Sequence, residues 1–251
     1  SHVFYAELID KLEHQLFKHG YKTIICNSEH NSEKEREYIE MLEANQVDGI
    51  ISGSHNLGID DYNRVTAPII AFDRNLSPEI PVVSSDNCAG GVLAAETLAK
   101  TGSQNIIMIT GNDNSNSPTG LRHAGFASVL PDAPIINVSS DFSPIRKEME
   151  IKQILTHQKP DAIFASDDLT AILIMKVAKE LELQIPQDLK VIGYDGTQFI
   201  ENYTPELTTI QQPLKDIAIL MVDLLLQKIE GKKVTTTGYF LPVSLHSGKS
   251  V

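Results

Sequence analysis

The chain has 251 residues, an apolar fraction of 41% and a formal net charge of −12, enough for one large domain or two smaller ones with sizeable cores. No apolar run approaches the ~18 residues of a membrane span and no secretory leader is visible, which argues against a membrane protein. The acidic balance, with no Lys/Arg cluster, repels phosphate backbones, so this stretch is not expected to bind DNA by itself. Cys26 and Cys88, in a strand-like run and beside a helix start, read as reduced structural thiols in apolar settings of a cytoplasmic protein.

Phe4, Leu8, Leu12 and Leu16 recur every four residues with Tyr5 and Ile9 beside them, the spacing of one apolar helix face. Lys18 and His19 in the last turn, followed by Gly20, form a stop signal. The chain is thus helical almost from its first residue, with no strand before this helix. A strand is expected at Thr23–Cys26 and a helix at Ser32–Asn45 with its acidic residues, Lys34 and Arg36 outward. Val47–Ser52 reads as a buried strand, Asp60–Val65 as a short helix, Ile69–Phe72 as a strand and Pro81–Ser85 as an extended piece. The rhythm then repeats with helix Cys88–Lys100, strand Ile106–Thr110 and a polar loop at Gly111–Thr119. Helix Gly120–Val129, strand Ile135–Val138 and helix Ile145–Thr156 follow. Short apolar strands alternating with helices indicate an α/β fold with parallel sheets.

The stretch Lys159–Thr197 reads as strand Ala162–Ser166, helix Leu169–Leu181, a Pro-marked loop and strand Val191–Tyr194. Strands separated by such a crossover form a parallel βαβ unit. Both strands end in polar runs, Ser166-Asp167-Asp168 and Asp195-Gly196-Thr197. In an open parallel sheet the pocket lies outside the carboxyl ends of the strands, so both runs point at one crevice. The chain continues through Thr208–Gln212 into helix Leu214–Ile229, whose Ile217, Leu220, Met221, Leu224, Leu225 and Ile229 form one stripe, and closes on a strand at Thr237–Val243.

These residues carry a resemblance. P-D-A-I-F-A-S-D-D from Pro160 and I-P-Q-D-L-K-V-I-G-Y-D from Ile185 resemble the effector-binding domain of the lactose-repressor/galactose-repressor family of bacterial transcription regulators. In family order stand F-Y-A-E-L-I from Phe4, V-D-G-I-I from Val47, P-I-I-A-F-D from Pro68 and D-N-x-x-G-G from Asp86. So do N-I-I-M-I-T-G from Asn105, R-x-x-G-F from Arg122 and P-x-L-T-T-I-x-Q from Pro205. Within the family, G-Y-D-G-T-x-F-I-E-N-Y from Gly193 resembles the sucrose-operon repressors most. Two departures are Ser103, where a His is usual after Gly, and His2-Val3, where Asn-Pro is common; the second bears on one edge of the pocket. The resemblance implies two similar Rossmann-like subdomains with parallel sheets, periplasmic-binding-protein-like, joined by a hinge of three crossovers. The first would be residues 1–84 plus 213–240 and the second 85–212 plus 241–251. It further implies a ligand between the lobes that favours closure, and a helix-turn-helix in a separate N-terminal segment absent from this stretch.

Asp195 ends an apolar strand, where its carboxylate can accept two hydrogen bonds from neighbouring sugar hydroxyls or serve as a turn aspartate beside Gly196. The family's inducer carboxylate falls at this position. Arg122 offers a fixed fork of donors suited to sugar oxygens; outside its motif it would read as a solvated surface arginine. Asp73 is implied as a second pocket carboxylate, or an ion-pair partner of Arg74. Ser166 and Asp167 are each a ligand contact or an N-cap for the following helix, with Ser166 taken for the ligand. Gln212 is a hydroxyl partner or a hinge residue. Phe4, Tyr5 and Phe72 offer rings for a sugar's C–H face or simply fill the core.

No nucleophile elbow, zincin motif, phosphate loop or dinucleotide fingerprint is present, and the eight histidines lack metal-ligand spacing. The chain is therefore read as no enzyme, without catalytic residues, metal or cofactor. Helix Leu169–Leu181 is apolar on two sides, which with the resemblance implies a two-fold homodimer. The expected function is the effector-sensing and dimerisation domain of a cytoplasmic repressor of carbohydrate use, binding a small sugar or sugar phosphate. Operator DNA would be contacted only through the absent head, and no membrane partner is expected. The alternative is a periplasmic sugar-binding protein of a transporter.

Overall fold

The computed structural model describes residues 2–54, 56–111 and 117–251. The chain packs as two units, Ser1–Ser85 with Pro213–Leu241, and Asp86–Gln212 with Pro242–Val251. It passes from one unit to the other three times. Of the polar loop expected at Gly111–Thr119, residues 112–116 lie outside the described residues.

In chain order the first segment contains helix α1 (Val3–Lys18), α2 (Ser32–Ala44), strand β1 (Ile50–Ser52), α3 (Ile59–Asn63), β2 (Ile69–Phe72) and β3 (Val82–Ser85). The second contains α4 (Asn87–Ala99), β4 (Ile106–Thr110), α5 (Pro118–Val129), β5 (Ile135–Asn137), α6 (Pro144–His157) and β6 (Ala162–Ala165). It continues with α7 (Asp168–Glu180), β7 (Lys190–Asp195), α8 (Gln198–Tyr203) and β8 (Thr208–Gln211). Helix α9 (Leu214–Ile229) and β9 (Gly238–Leu241) return to the first unit, and β10 (Ser244–His246) belongs to the second.

The first unit is a parallel sheet in the order β1-β2-β3-β9. Side chains alternate across it, as the two-residue period of a strand requires. Ile70, Phe72 and Val83 face α1 and α9, where Phe4, Leu8, Leu12, Ile217 and Met221 complete one core; Ile69, Ala71 and Val82 face a second with Tyr62, Leu76 and Ile80. Each fully buried Ile, Leu or Phe contributes about 1.5–3 kcal/mol of transfer free energy. Helix α1 stops where the sequence says it should. Gly20 takes φ +85, and Tyr21 N–H and Gly20 N–H donate to the carbonyls of Leu16 and Phe17, the bond pair that closes a helix on a left-handed residue.

The second unit is a six-stranded sheet ordered β10-β8-β7-β6-β4-β5, parallel except for the β10–β8 pair. Ile107, Ile109, Ile163 and Val191 face α6 and α7; Met108, Phe164, Ile192 and Tyr194 face α4 and α5 with Leu98 and Phe126. The α/β class with mostly parallel sheets is therefore as the apolar runs indicate.

Three local expectations are corrected. Thr23–Cys26 is not a strand: among the described residues it joins no ladder, and Ile24 and Ile25 are each 63% exposed. An apolar β-branched run supplies the pattern of a strand, but a ladder also needs a partner distant in sequence. The closing strand splits in two around Pro242, which has no N–H to give a ladder, so that β9 and β10 lie in different sheets. Finally, Cys88 is exposed rather than apolar in setting; both cysteines are free.

Candidate functional site

The polar centre of the second unit is built by two helices that touch backbone to backbone. A Cβ on Gly91 of α4 would stand 2.1 Å from the carbonyl oxygen of Arg122, and one on Gly125 of α5 would stand 2.0 Å from that of Cys88. Only bare Cα atoms allow this approach. It brings Asn87, the first residue of α4, against Arg122 in the second turn of α5, a helix capped by the Ser117 hydroxyl on Gly120 N–H at 3.0 Å.

Arg122 is 7% exposed and every nitrogen of its fork has a partner. Nε donates to Asn87 Oδ1 at 2.8 Å, Nη1 donates to the carbonyl of Ser166 at 2.6 Å, and Nη2 lies 4.0 Å from Asp195 Oδ1. The guanidinium carbon sits 3.7 Å from the centroid of the Tyr194 ring, whose hydroxyl donates to Asn87 Oδ1 at 3.2 Å. Gln212 Nε2 donates to Asp195 Oδ1 at 2.8 Å. Four of the expected site residues, Arg122, Asp195, Ser166 and Gln212, are thus gathered at the carboxyl ends of β6, β7 and β8. All four are buried.

Asp195 is no ordinary turn aspartate. Its φ is +120, followed by Gly196 at +58; such backbone angles are strained for a residue with a Cβ and concentrate at functional sites. Burial raises its pKa well above the usual carboxylate range; Arg122 opposes this, while Asp168 and Asp167 add like-charge repulsion. The guanidinium therefore acts on two carboxylates, Asp195 and Asp168. Asp167 itself is the N-cap of α7, accepting from Thr170 N–H at 2.8 Å and from the Thr170 hydroxyl at 2.7 Å, so the capping role falls to Asp167.

The sequence reading passed over Asn87, Tyr194 and Asp168. Asn87 lay inside the quoted D-N-x-x-G-G run and Tyr194 inside G-Y-D, yet nothing in their spacing announces a shared contact with Arg122. Asp168, 1% exposed, stands in the polar run Ser166-Asp167-Asp168, and its carboxylate reaches Gly196 and Thr209.

The first unit holds the remaining candidates. Phe4 and Phe72 are buried and stacked with centroids 6.0 Å apart, and Tyr5 meets Phe4 edge-on at 5.2 Å while remaining 48% exposed. Core packing accounts for both phenylalanines; Tyr5 is the ring that faces solvent. Asp73, at φ +66 just beyond β2, accepts a hydrogen bond from the Ser84 hydroxyl at 2.6 Å. Among the described residues no group of three His, Cys, Asp or Glu is arranged to hold a metal, and no helix is long and apolar enough to cross a membrane.

Residues 95–251 match the model of the periplasmic binding protein-like domain. The sucrose operon repressor of Streptococcus mutans serotype c is 66% identical over 251 residues, covering 100% of this chain and 78% of the repressor. The chain belongs to the lactose-repressor/galactose-repressor family. Two solved structures of this family share its fold. A periplasmic binding protein/LacI transcriptional regulator of Alkaliphilus metalliredigens, complexed with D-xylulofuranose, is 29% identical at a TM-score of 0.88 and covers 100% of this chain and 95% of its own. A LacI family transcriptional regulator of Enterococcus faecium with bound ribose is 26% identical at 0.84, covering 98% and 94%. The relatives of this lactose-repressor-family chain are repressors rather than enzymes, and they do not favour the transporter alternative.

Proposed function

We propose that this chain is the effector-sensing domain of a cytoplasmic repressor of carbohydrate use, and that Arg122 and Asp195 grip a small sugar. The observation that carries the reading is the buried Arg122–Asp195 pair at the strand ends, with a donor fork and an acceptor 4.0 Å apart. A sugar presents neighbouring hydroxyls that both donate and accept, and a carboxylate beside a guanidinium matches them with charge-assisted bonds. Ser166 and Gln212 flank this pair. Within the first unit, taken by itself, Tyr5 offers exposed ring surface and Asp73 an acceptor, each a candidate sugar contact. Asp195 and Asp168 beside one guanidinium, with Asp167 close to both, disfavour an anion, so a neutral sugar is preferred over a sugar phosphate at this wall. The 66% identity to a sucrose operon repressor supports testing sucrose and its component sugars first.

The test is calorimetric titration against sucrose, fructose, glucose, ribose and their phosphates. One neutral sugar binds, and Asp195→Ala and Arg122→Ala each abolish the heat. Unchanged affinity in both variants removes the site. Effector binding must discriminate between two states of the domain to act as a switch, and operator contact is assigned to a helix-turn-helix outside these 251 residues.

The same reading includes a homodimer. Ile172, Leu173 and Met175 of α7 are partly buried against their own core, while α6, packed on α7, exposes Ile145 and Met149 one turn apart at 74% and 59%. Leu169 at the start of α7 is 38% exposed, and the exposed apolar side chains of this helix pair support a two-fold contact. Sedimentation should give twice the chain mass, and Met149→Glu the monomer; a wild-type monomer at all concentrations refutes this part.

A further inference from the structure

Asp168 opens α7, yet it does not cap the helix; Asp167 does that. Both of its oxygens reach across to the neighbouring strands. Oδ2 accepts from Gly196 N–H at 2.8 Å and Oδ1 accepts from the Thr209 hydroxyl at 2.6 Å. Space for the carboxylate is left by Gly193 of β7, where a Cβ would lie 2.1 Å from Oδ1. The N–H of Gly196 belongs to the same peptide group as the carbonyl of Asp195, and that carbonyl accepts from Gln212 N–H at 3.0 Å. One peptide is therefore held at both ends, and it is the peptide that follows the strained φ of Asp195.

We propose that Asp168 is the positioning residue of the effector site, holding the Asp195–Gly196 peptide so that the Asp195 carboxylate is aimed at the sugar, with an aim that loosens when Asp168 takes up a proton. The proposal rests on the reading of Asp195 as a sugar contact. A carboxylate makes stronger bonds to N–H than a neutral acid does, so protonation weakens the hold on Gly196. The charged groups facing Asp168 are Asp167 from its own turn, Asp195 from β7 and Arg122 from α5; β8 presents only the Thr209 hydroxyl. Burial pushes Asp168 up to about 7, against the lowering effect of the Thr209 and Gly196 bonds. The hold is thus tight above that pH and loosens as pH falls through it.

The experiment follows the Gly196 amide by NMR in the ligand-free chain and measures affinity for the panel sugar that binds, in wild type, Asp168→Asn and Thr209→Val. In wild type the Gly196 amide titrates near neutral pH, and sugar affinity falls severalfold between about pH 8 and about pH 6. In Asp168→Asn the Gly196 amide loses the titration step due to Asp168 and keeps only that of Asp195, and affinity at the upper pH drops about tenfold or more, the scale of losing a bond to a charged group. Its pH dependence also moves to lower pH, because Asp195 loses a repelling neighbour. Thr209→Val keeps shape and charge but removes a bond that favours the carboxylate, so the midpoint moves up. A Gly196 amide indifferent to both substitutions overturns the proposal. So does an Asp168→Asn variant whose affinity is unchanged, or lower with the wild-type pH profile, since the latter is a plain folding defect. A wild type that binds no sugar while its Gly196 amide titrates as described overturns the sugar reading, and leaves Asp168 as the holder of the turn.

Discussion

Tyr194 supports Arg122 twice: its ring lies 3.7 Å from the guanidinium carbon, and its hydroxyl donates to the Asn87 oxygen that accepts from Arg122 Nε. The guanidinium is thereby fixed in plane and direction before any ligand arrives. A lysine keeps the charge but loses the fork and the ring contact. Arg122→Lys is therefore expected to weaken sugar binding about tenfold or more, while Tyr194→Phe, which keeps the ring, weakens it only a fewfold. Calorimetry of both variants checks the ordering, and equal losses would mean that the ring contact is immaterial.

Gly125→Ala should damage stability and site together. The added methyl would fall 2.0 Å from the Cys88 carbonyl oxygen, so α4 and α5 must separate. Overpacking of this kind costs about 1–3 kcal/mol, and the separation also withdraws Asn87 from Arg122. Urea unfolding should show the lost stability, and sugar affinity should fall even well below the unfolding midpoint. Full affinity in a destabilised variant would show that the helices move without carrying the site.

The pH dependence of stability has a definite sign. Burial raises Asp168 to about 7 and Asp195 well above its ordinary value. From about pH 4 upward, where unfolded carboxylates ionise, the folded chain retains protons that the unfolded chain has released. The unfolded state then binds fewer protons, so the contribution of these two groups to stability declines as pH rises through about 7. Asp168→Asn removes part of that decline, and its stability curve should be flatter than wild type over the same range. A steeper curve would contradict the assignment.

Much of this was legible in the chain because it depends on local patterns. Apolar runs such as Ile106–Thr110 and Ala162–Ala165 became strands buried on both faces, and the four-residue spacing from Phe4 became the buried stripe of α1. Arg122 and Asp195 stood out because each sits inside a recognisable run. What could not be read was contact between distant residues. Asn87 and Arg122 are 35 residues apart, Asp168 and Gly196 28 apart; their meeting depends on glycines whose purpose is visible only once the helix or strand opposite is in place. The same blindness turned Thr23–Cys26 into an expected strand, since an apolar run does not carry the identity of its neighbour.

The first unit contains a buried carboxylate that offers a separate stability test. Glu35 is 4% exposed and is held by hydrogen bonds. One oxygen accepts from the Tyr62 hydroxyl, and the other accepts from Asn56 N–H at 3.2 Å and from the Asn56 side-chain amide at 2.7 Å. Burial, and then the Glu35 carboxylate, raise the pKa of Tyr62, so the phenol stays protonated and continues to donate. Helix α2 is thereby tied to α3 and to the loop after β1 by one side chain. Glu35→Ala leaves the Asn56 amide without this acceptor and the Tyr62 hydroxyl with a long bond to the Ser54 carbonyl at 3.4 Å, and is expected to destabilise by about 3 kcal/mol. Glu35→Gln keeps an acceptor oxygen and should lose about 1 kcal/mol. Because Glu35 belongs to the first unit and the Arg122 network to the second, the hydrogen bonds of Arg122 should be preserved in Glu35→Gln at temperatures where it is folded. Urea denaturation gives the two stabilities; if alanine and glutamine prove equally mild, the three-way tie does not hold this part of the chain together.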